Sequence, residues 1–295
     1  MNTGLDVRVA VRDANAVFGR FPARICIFPV LLGLLSYVTT TWWQPDPQQS
    51  DGQRVLLDFL IICVCGFVLF WLNCFIEVVV SSMCLRAREG EEPGGEQISK
   101  ALHYRGFASL AGGLLLRCLC WSLSLGAIFG GAFLFIGILV DAAHTGPTSG
   151  IGATAGGVGH WFAIGTGVIV GVVFVIVATL IFCRYMFVFQ MFAIERASRR
   201  GFLDECIRRT KQVWKTAAVV MIAGMIPEYL ILGIEELAWK HWTPPHGVHM
   251  AVELTGALVT GCFSAWFMLV KTGLAMQLMT APPAAIEPID DRAAI

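Results

Sequence analysis

The sequence predicts an all-α polytopic membrane protein with six transmembrane helices and both termini in the cytoplasm. Three observations support this fold class. Hydrophobic residues make up 56% of the chain and charged residues only 14%, whereas soluble domains carry about 25% charged residues. The apolar residues form runs long enough to cross a bilayer, which takes about 20 helical residues. Lysine and arginine are also distributed unevenly between the connections that join these runs.

Six apolar runs account for most of the chain. The predicted spans are 23–43, 55–84, 107–140, 161–193, 216–236 and 251–280. Several exceed 20 residues, so we expect tilted helices or helices that project beyond the membrane. Arg20 and Arg24 precede the first run as they would in a signal peptide. The run lacks a small-residue cleavage site, however, and ends in Trp42 and Trp43, which are typical of an interfacial anchor. An uncleaved first span is therefore expected.

The orientation follows from the positive charges in the short connections. When each charge within a span is counted with its nearer side, all 21 lysines and arginines except Arg54 and Lys240 fall on one side. That side contains the N-terminus, the 85–106 and 194–215 connections and the C-terminal tail. The chain is therefore predicted to be a multi-pass protein of the inner, or cytoplasmic, membrane with this basic side in the cytoplasm.

Amphipathic segments flank the spans on the predicted cytoplasmic side. Residues 1–22 are expected to form a cytoplasmic amphipathic segment with an apolar stripe at helical spacing. The stripe consists of Val7, Val11, Ala14, Val17 and Phe21. A weaker stripe occurs at 98–107, between spans two and three. The six-helix transmembrane domain is predicted to cover 23–280, and the acidic, proline-containing tail 281–295 is predicted to be disordered.

The most amphipathic segment lies between spans four and five, at 202–214, where one face is apolar and the opposite face is mostly charged. The apolar face consists of Phe202, Leu203, Cys206, Ile207, Thr210, Val213 and Trp214. A basic helix of this kind is expected to lie at the membrane surface against anionic lipid, or to pack against the end of the bundle, and the two arrangements are compatible. The residues predicted to contact the membrane surface are Arg199, Arg200, Arg208, Arg209, Lys211, Trp214 and Lys215.

Charged residues within the spans form a second candidate site, because a charge in hydrocarbon costs at least about 2.5 kcal/mol. Five such residues, on five different spans, fall in the inner to middle part of the membrane. They are Glu77, Arg117, Arg184, Glu228 and Lys271. Glu77 complements Arg117 and Arg184 complements Glu228, so we expect ion pairs or a network among these four residues, facing the bundle interior. Lys271 is expected to extend to the inner surface. The cluster either holds helices together or lines a hydrated cavity for an anion, a proton or a lipid headgroup.

Other patterns carry less chemical information. The ten cysteines all fall in spans or on the cytoplasmic side, which predicts small apolar filling residues without disulfides. The histidines between His241 and His249 are predicted to be surface residues and not metal ligands. GxxxG motifs at Gly126/Gly130 and Gly167/Gly171 predict close helix packing. The sequence has no phosphate-binding loop, nucleophile elbow or zinc-protease motif. No catalytic residue, metal, cofactor or nucleic-acid partner is therefore predicted.

The segment FAIERASRRGFLDECIRRTKQVWK, which follows an apolar run, carries a family resemblance. It resembles six-helix bacterial inner-membrane proteins of poorly defined function, related to the membrane domain associated with glycerophosphodiester phosphodiesterases. In that group an apolar span is followed by a glutamate-containing turn, a glycine and a basic amphipathic helix. Glu195, Gly201 and the helix to Trp214 match this pattern. The chain has no catalytic phosphodiesterase domain, so the resemblance implies a membrane protein and carries over no active-site residues.

Together these patterns predict a non-enzymatic integral membrane protein that acts as a scaffold, an accessory subunit or a lipid-engaging protein. Its expected partners are membrane lipids, in particular anionic ones, and other protein subunits. The alternative is a small transporter or channel for an anionic or proton-coupled substrate, which would use the intramembrane charge cluster. A water-accessible cavity that reaches the cluster would favour transport, whereas a dry, packed interior would favour the accessory role.

Overall fold

A computed structural model of the protein is helical throughout the part of the chain that it describes, with no β-strand there. The described residues are 5–42, 52–144, 166, 169–174, 176–196, 200–241 and 246–280. The helices are α1 (Val7–Arg20), α2 (Pro22–Trp42), α3 (Gly52–Arg88), α4 (Glu96–Leu102), α5 (Phe107–His144), α6 (the described positions of 169–182), a 3-10 turn (Cys183–Tyr185), α7 (Val188–Glu195), α8 (Phe202–Gln212), α9 (Trp214–His241) and α10 (His246–Thr280).

Within the described residues, four helical segments are long and apolar enough to cross a membrane. They are Val64–Arg88, Phe107–Ala132, Ile169–Glu195 and Met250–Thr280. A fifth results if α1 and Pro22–Ser36 of α2 are counted as one span, although these two helices are bent by 98° relative to each other. The apolar helix Trp214–Pro227 within α9 is shorter. The prediction of a helical membrane protein is confirmed, and the described residues contain four or five candidate spans where the sequence predicts six.

The N-terminal amphipathic helix packs against protein. Asp6 caps α1 by accepting hydrogen bonds from N–H groups of the first turn, which lack partners within the helix. The chain then bends at Phe21, and α1 lies against α10 with Ala10 and Ala14 buried. The amide of Asp6 donates to Oε1 of Gln277 at 2.8 Å, and Nε2 of Gln277 donates to the Asp6 carbonyl at 3.0 Å. The apolar face of α1 is therefore covered by the bundle and not free to enter a lipid leaflet.

Glycines allow α2 and α10 to approach closely. A Cβ atom on Gly261 of α10 would lie 2.7 Å from the Cα atom of Val30 in α2. A Cβ atom on Gly33 of α2 would lie 3.4 Å from the carbonyl oxygen of Ala257 in α10. Because these contacts involve backbone atoms, a larger side chain at Gly261 would force the helices apart. Small residues are the usual means of bringing membrane helices this close.

The helix α5 stands at the edge of the bundle, and its main contact is with α8. A Cβ atom would meet no neighbouring atom within 4 Å at Gly126, Gly130 or Gly171. The described residues therefore show no close backbone approach at these three glycines, and Gly167, the fourth glycine of the two motifs, lies outside them. In this region α5 and α6 meet through Phe129 and Phe174, whose ring centroids are 5.1 Å apart.

The helices α1, α4 and α8 each lie near the last residues of α3 or α10, and we call this end of the bundle the polar end. Ion pairs join these elements to the spans. Arg88, at the end of α3, contacts Asp13 of α1 at 2.5 Å, and Arg24 of α2 contacts Glu92, just before α4, at 2.9 Å. The connections that the sequence predicts to be cytoplasmic thus meet at one end, where they are held to the spans by charged side chains.

Candidate functional site

A buried polar cluster lies between α3, α7 and α10. The ammonium group of Lys271 in α10 forms an ion pair with Oε1 of Glu77 in α3. The other carboxylate oxygen of Glu77 accepts a hydrogen bond of 3.2 Å from Nε2 of Gln190 in α7. The side chains of Lys271 and Glu77 are only 9% and 13% exposed, and Gln190 is fully buried. Two charges withdrawn from solvent in this way are tolerated only when they are paired.

A pair of hydroxyl groups extends the cluster by one helical turn. Ser81 follows Glu77 by four residues, so both lie on one face of α3. Oγ1 of Thr272 lies 3.0 Å from Oγ of Ser81 and 2.8 Å from the carbonyl oxygen of Met268. A threonine hydroxyl has a single proton. Both contacts are satisfied when Thr272 donates to the carbonyl and accepts from Ser81.

One atom of the cluster lacks a partner. Oε1 of Gln190 is buried and forms no hydrogen bond with any residue that the structure describes. Reversing the amide would direct this oxygen at the Glu77 carboxylate, so the hydrogen bond from Nε2 fixes the orientation. An unpaired buried polar atom costs about 1–3 kcal/mol of stability. Hydrogen bonds within the cluster therefore do not fully replace those that its polar atoms would make with water.

The ion pairs differ from those that the sequence predicts. Glu77 pairs with Lys271 and not with Arg117, so Lys271 does not extend to the membrane surface. Arg117 reaches Asp204 of α8 instead, with Nη2 at 2.6 Å from Oδ1. The reason is the arrangement of the helices, because α3 and α10 are neighbours whereas α5 lies at the edge beside α8.

Arg184 lies in the 3-10 turn that interrupts the fourth predicted span. It forms no ion pair with a side chain in the described part of the chain. Its predicted partner, Glu228, belongs to α9, but the side chain of Glu228 lies outside the described residues. The turn and α9 are in contact, so the predicted Arg184–Glu228 pair stays a prediction.

An apolar cavity of about 530 Å³ lies between α2, α3, α9 and α10. Its few polar lining residues include Asn73 and Ser264. Phe267 also lines the cavity, and the centroid of its ring is 5.9 Å from Nζ of Lys271. Neither Lys271 nor Glu77 is among the lining residues. The cavity therefore ends one side chain short of the buried ion pair.

The helix α8 is attached to the bundle by its apolar face. Phe202, Cys206 and Thr210 are buried, and α8 contacts the 3-10 turn, α5, α7 and α9. On the opposite face Arg208 and Lys211 are exposed. The structure thus has the second of the two arrangements that the sequence left open, with packing against the end of the bundle.

The residues predicted to contact the membrane surface differ in their environments. Nη1 of Arg209 donates to the carbonyl of Leu278 in α10 at 3.0 Å, and its Nε and Nη2 donate to Oε1 of Glu205 at 2.9 and 2.7 Å. Trp214 is 41% exposed, and Nζ of Lys215 lies 5.8 Å from its ring. Arg209 is thus held by protein, while the exposed cations are Arg200, Arg208, Lys211 and Lys215. Arg199 lies outside the described residues.

Sequence reasoning did not single out Gln190 or Thr272 as members of the buried cluster, and it placed Asp204 only on the polar face of 202–214. Gln190 gave a signal, because it is a lone amide in the apolar stretch FVFQMFAI. A polar side chain in such a stretch of a membrane helix usually faces a polar partner inside the bundle. Thr272 gave no comparable signal, since threonine is common in membrane helices.

Comparisons with known protein families, with curated proteins and with solved structures found no match for this chain. The resemblance to six-helix inner-membrane proteins therefore stays a prediction. Within the described part of the chain no group of three or more histidine, cysteine or acidic residues is arranged to hold a metal ion. The cysteines described there are free. The histidines between His241 and His249 lie outside the described side chains. The fold and the two polar sites are thus the basis for any functional proposal.

Proposed function

We propose that this chain is a non-enzymatic integral protein of the inner membrane that engages anionic lipid headgroups and serves as a scaffold or accessory subunit. The observation that carries the proposal is the fixed placement of α8. Its apolar face is anchored to the bundle through Phe202, Cys206 and Thr210, while cationic side chains remain exposed on the other face. Cations on an already ordered helix lose less conformational freedom on binding than cations on a flexible tail.

The electrostatic contribution can be estimated from the exposed cations of this segment. Arg208 and Lys211 lie on α8, Arg200 lies two residues before it, and Lys215 is the second residue of α9. A cation near an anionic membrane surface contributes about 1 kcal/mol, so four would contribute about 4 kcal/mol. Asp204 on the same face opposes them little, because Arg117 already pairs with it. The exposed indole of Trp214, the first residue of α9, is typical of a membrane interface, which supports a location at headgroup level.

In this proposal the Glu77–Lys271 pair is structural, because the apolar cavity stops at Phe267. The same cavity is the observation that favours the second candidate function, a small transporter or channel for an anionic or proton-coupled substrate. Proton entry into proteoliposomes loaded with a pH-sensitive dye tests this candidate. Transport through the cavity requires measurable flux in the wild type and increased flux in Phe267→Ala, which shortens the barrier before Lys271. Absence of flux in both proteins would contradict transport of protons by this route.

The lipid proposal is tested by the composition of the lipid that the protein retains. The protein is reconstituted in nanodiscs of equal phosphatidylglycerol and phosphatidylcholine, extracted in mild detergent and analysed by mass spectrometry of the bound lipid. We expect the wild type to retain phosphatidylglycerol in excess. A variant in which glutamine replaces Arg200, Arg208, Lys211 and Lys215 should retain the two lipids in nearly equal amounts.

A matched control removes four exposed arginines elsewhere at the polar end. Glutamine replaces Arg8, Arg12, Arg20 and Arg105, which are exposed and lie outside α8. This control loses the same amount of positive charge as the variant at Arg200, Arg208, Lys211 and Lys215. We expect it to keep most of the phosphatidylglycerol excess. Equal losses in both variants would show that binding depends on total charge and not on α8. An unchanged excess in the α8 variant would overturn the proposal.

A further inference from the structure

A small notch lies at the polar end, between the end of α3, α4 and the end of α7. Its volume is about 40 Å³, whereas one water molecule needs roughly 10–15 Å³. Arg86, Lys100 and Arg196 line it together with the hydroxyl-bearing Ser82 and Tyr104, and the two hydroxyl oxygens are 3.3 Å apart. Three different segments of the chain therefore bring one cation each to a single concave site.

The amide of Gln97 adds a hydrogen-bond donor to the notch. Oε1 of Gln97 accepts a 2.8 Å hydrogen bond from the backbone N–H of Gly94, which fixes the orientation of the amide. Nε2 forms no hydrogen bond with a described residue, although Gln97 is only 4% exposed and lines the notch. Nε2 of Gln97 is not among the fully buried atoms without a partner, so it is accessible from the notch and can donate to a ligand there.

Arg196 is held in an unusual backbone conformation at the rim of the notch. Its φ is +59°, and no other non-glycine residue in the described ranges has a positive φ. The N–H of Arg196 donates to the carbonyl of Phe192 at 2.8 Å and so closes the C-terminus of α7. Glycine is the usual residue at such a position, because a Cβ atom is unfavourable there. Strained positions of this kind are often found where the side chain has a function.

The charges around the notch leave one cation uncompensated. Arg86 pairs with Glu91, and Lys100 pairs with Glu96 at 2.6 Å. The hydrogen bond from Lys100 lowers the pKa of Glu96, so this carboxylate is ionised at neutral pH. Arg196 is exposed and forms no ion pair with a described residue. Of the three cations that line the notch, Arg86 and Lys100 are thus paired with carboxylates and Arg196 is the one without an ion pair to a described residue.

We propose that this notch binds a single phosphate group. The groups that lack a partner, the Arg196 guanidinium and the Gln97 amide, are both donors, and phosphate oxygens accept hydrogen bonds from such groups strongly. The guanidinium of Arg196, which has no ion pair with a described residue, can interact with the negative charge of a phosphodiester. Ser82 and Arg86 lie in the last two turns of the candidate span Val64–Arg88, which corresponds to headgroup depth in a membrane. The phosphate group comes either from an anionic lipid or from the free ion.

This site is distinct from the exposed cations of α8, so its failure would leave the proposed function standing. The test titrates the detergent-solubilised protein, in separate experiments, with inorganic phosphate and with short-chain phosphatidylglycerol, using native mass spectrometry and calorimetry. We expect one saturable equivalent that depends on Arg196, in addition to any phosphatidylglycerol held by the exposed cations around α8. Arg196→Gln should weaken binding roughly tenfold or more, because one charge-assisted hydrogen bond is lost. Arg12→Gln, an exposed arginine on α1, is the control and should bind as the wild type does.

A second variant separates binding from folding. Arg196→Gly suits the left-handed backbone better than arginine does, so its thermal stability should equal or exceed that of the wild type while its binding is weakened as in Arg196→Gln. Arg196-dependent binding of phosphatidylglycerol but not of inorganic phosphate assigns the site to lipid, and the converse assigns it to the free ion. Wild-type affinity in both Arg196 variants, or no saturable binding of either ligand, would overturn the proposal.

Discussion

Replacing Lys271 by methionine tests whether the buried ion pair stabilises the bundle. Methionine keeps most of the side-chain length and removes the charge. The carboxylate of Glu77 would then be left with only the 3.2 Å hydrogen bond from Gln190. Because an unpaired charge in the membrane interior is unfavourable, we expect the free energy of unfolding to fall.

The magnitude follows from the burial of the two side chains. The side chains are 9% and 13% exposed, so they form a buried ion pair. Removing one partner of a buried ion pair lowers the free energy of unfolding by about 3–5 kcal/mol. Unit charges about 3 Å apart at an effective dielectric constant of about 20 attract each other by about 5 kcal/mol, which agrees with this range. Glu77→Gln should cost a similar amount. The double variant Glu77→Gln/Lys271→Met contains neither charge and should lose only about 1 kcal/mol relative to the wild type.

The assay is reversible unfolding in mixed micelles with an increasing fraction of sodium dodecyl sulfate, followed by circular dichroism. The four proteins form a double-mutant cycle, which gives the coupling energy between Glu77 and Lys271. A coupling of several kcal/mol is expected. If the two single losses simply add in the double variant, with coupling below about 0.5 kcal/mol, the reasoning from buried charge is refuted.

Three further predictions concern helix contacts and surface charges. Their effects on stability are measured by the same unfolding assay, and phosphatidylglycerol retention is measured as described above. Gly261→Ala should cost about 1–3 kcal/mol, because its methyl group would lie 2.7 Å from the α2 backbone, whereas Gly131→Ala, with nothing within 4 Å, should not destabilise. Asp204→Asn should cost less than about 1 kcal/mol, since the pair it breaks is 40% and 68% exposed. Arg209→Gln should cost about 1–3 kcal/mol through its lost contact with α10. Arg208→Gln should leave stability unchanged and reduce phosphatidylglycerol retention, and equal stability losses at both arginines would contradict this distinction.

Local patterns in the sequence were sufficient to predict where several helices lie. The apolar run at 251–280 corresponds to the candidate span Met250–Thr280. The apolar face and the opposite charged face predicted at 202–214 correspond to the helix α8, Phe202–Gln212. Both predictions depend only on residues close together in the chain, because the length of an apolar run and a 3.6-residue period are local properties. The fifth predicted span, 216–236, lies within α9, Trp214–His241.

The pairing of the charges could not be predicted in the same way. Counting residues from the nearest basic connection gives the depth of Glu77, Arg117 and Lys271, and that depth is similar for all three. Depth does not say which helices are neighbours or which face of each helix points inward. The choice of Lys271 over Arg117 as the partner of Glu77 depends on α10 packing against α3 while α5 lies at the edge. Such neighbour relations arise from non-local packing, for instance the close contact that Gly261 permits.

The non-local packing of the helices also decides which cations of the polar end are available to a ligand. Arg24, Arg88 and Arg209 already bind carboxylates or a helix carbonyl, so contact with lipid would require them to give up protein partners. Arg196 and Arg208 are exposed and have no ion pair with a described residue, so binding costs them no such loss. Arg208 and Arg209 are adjacent in the sequence, yet Arg209 already has protein partners whereas Arg208 has no ion pair with a described residue. Removing the arginines together would therefore mix loss of stability with loss of binding, whereas single substitutions separate the two effects.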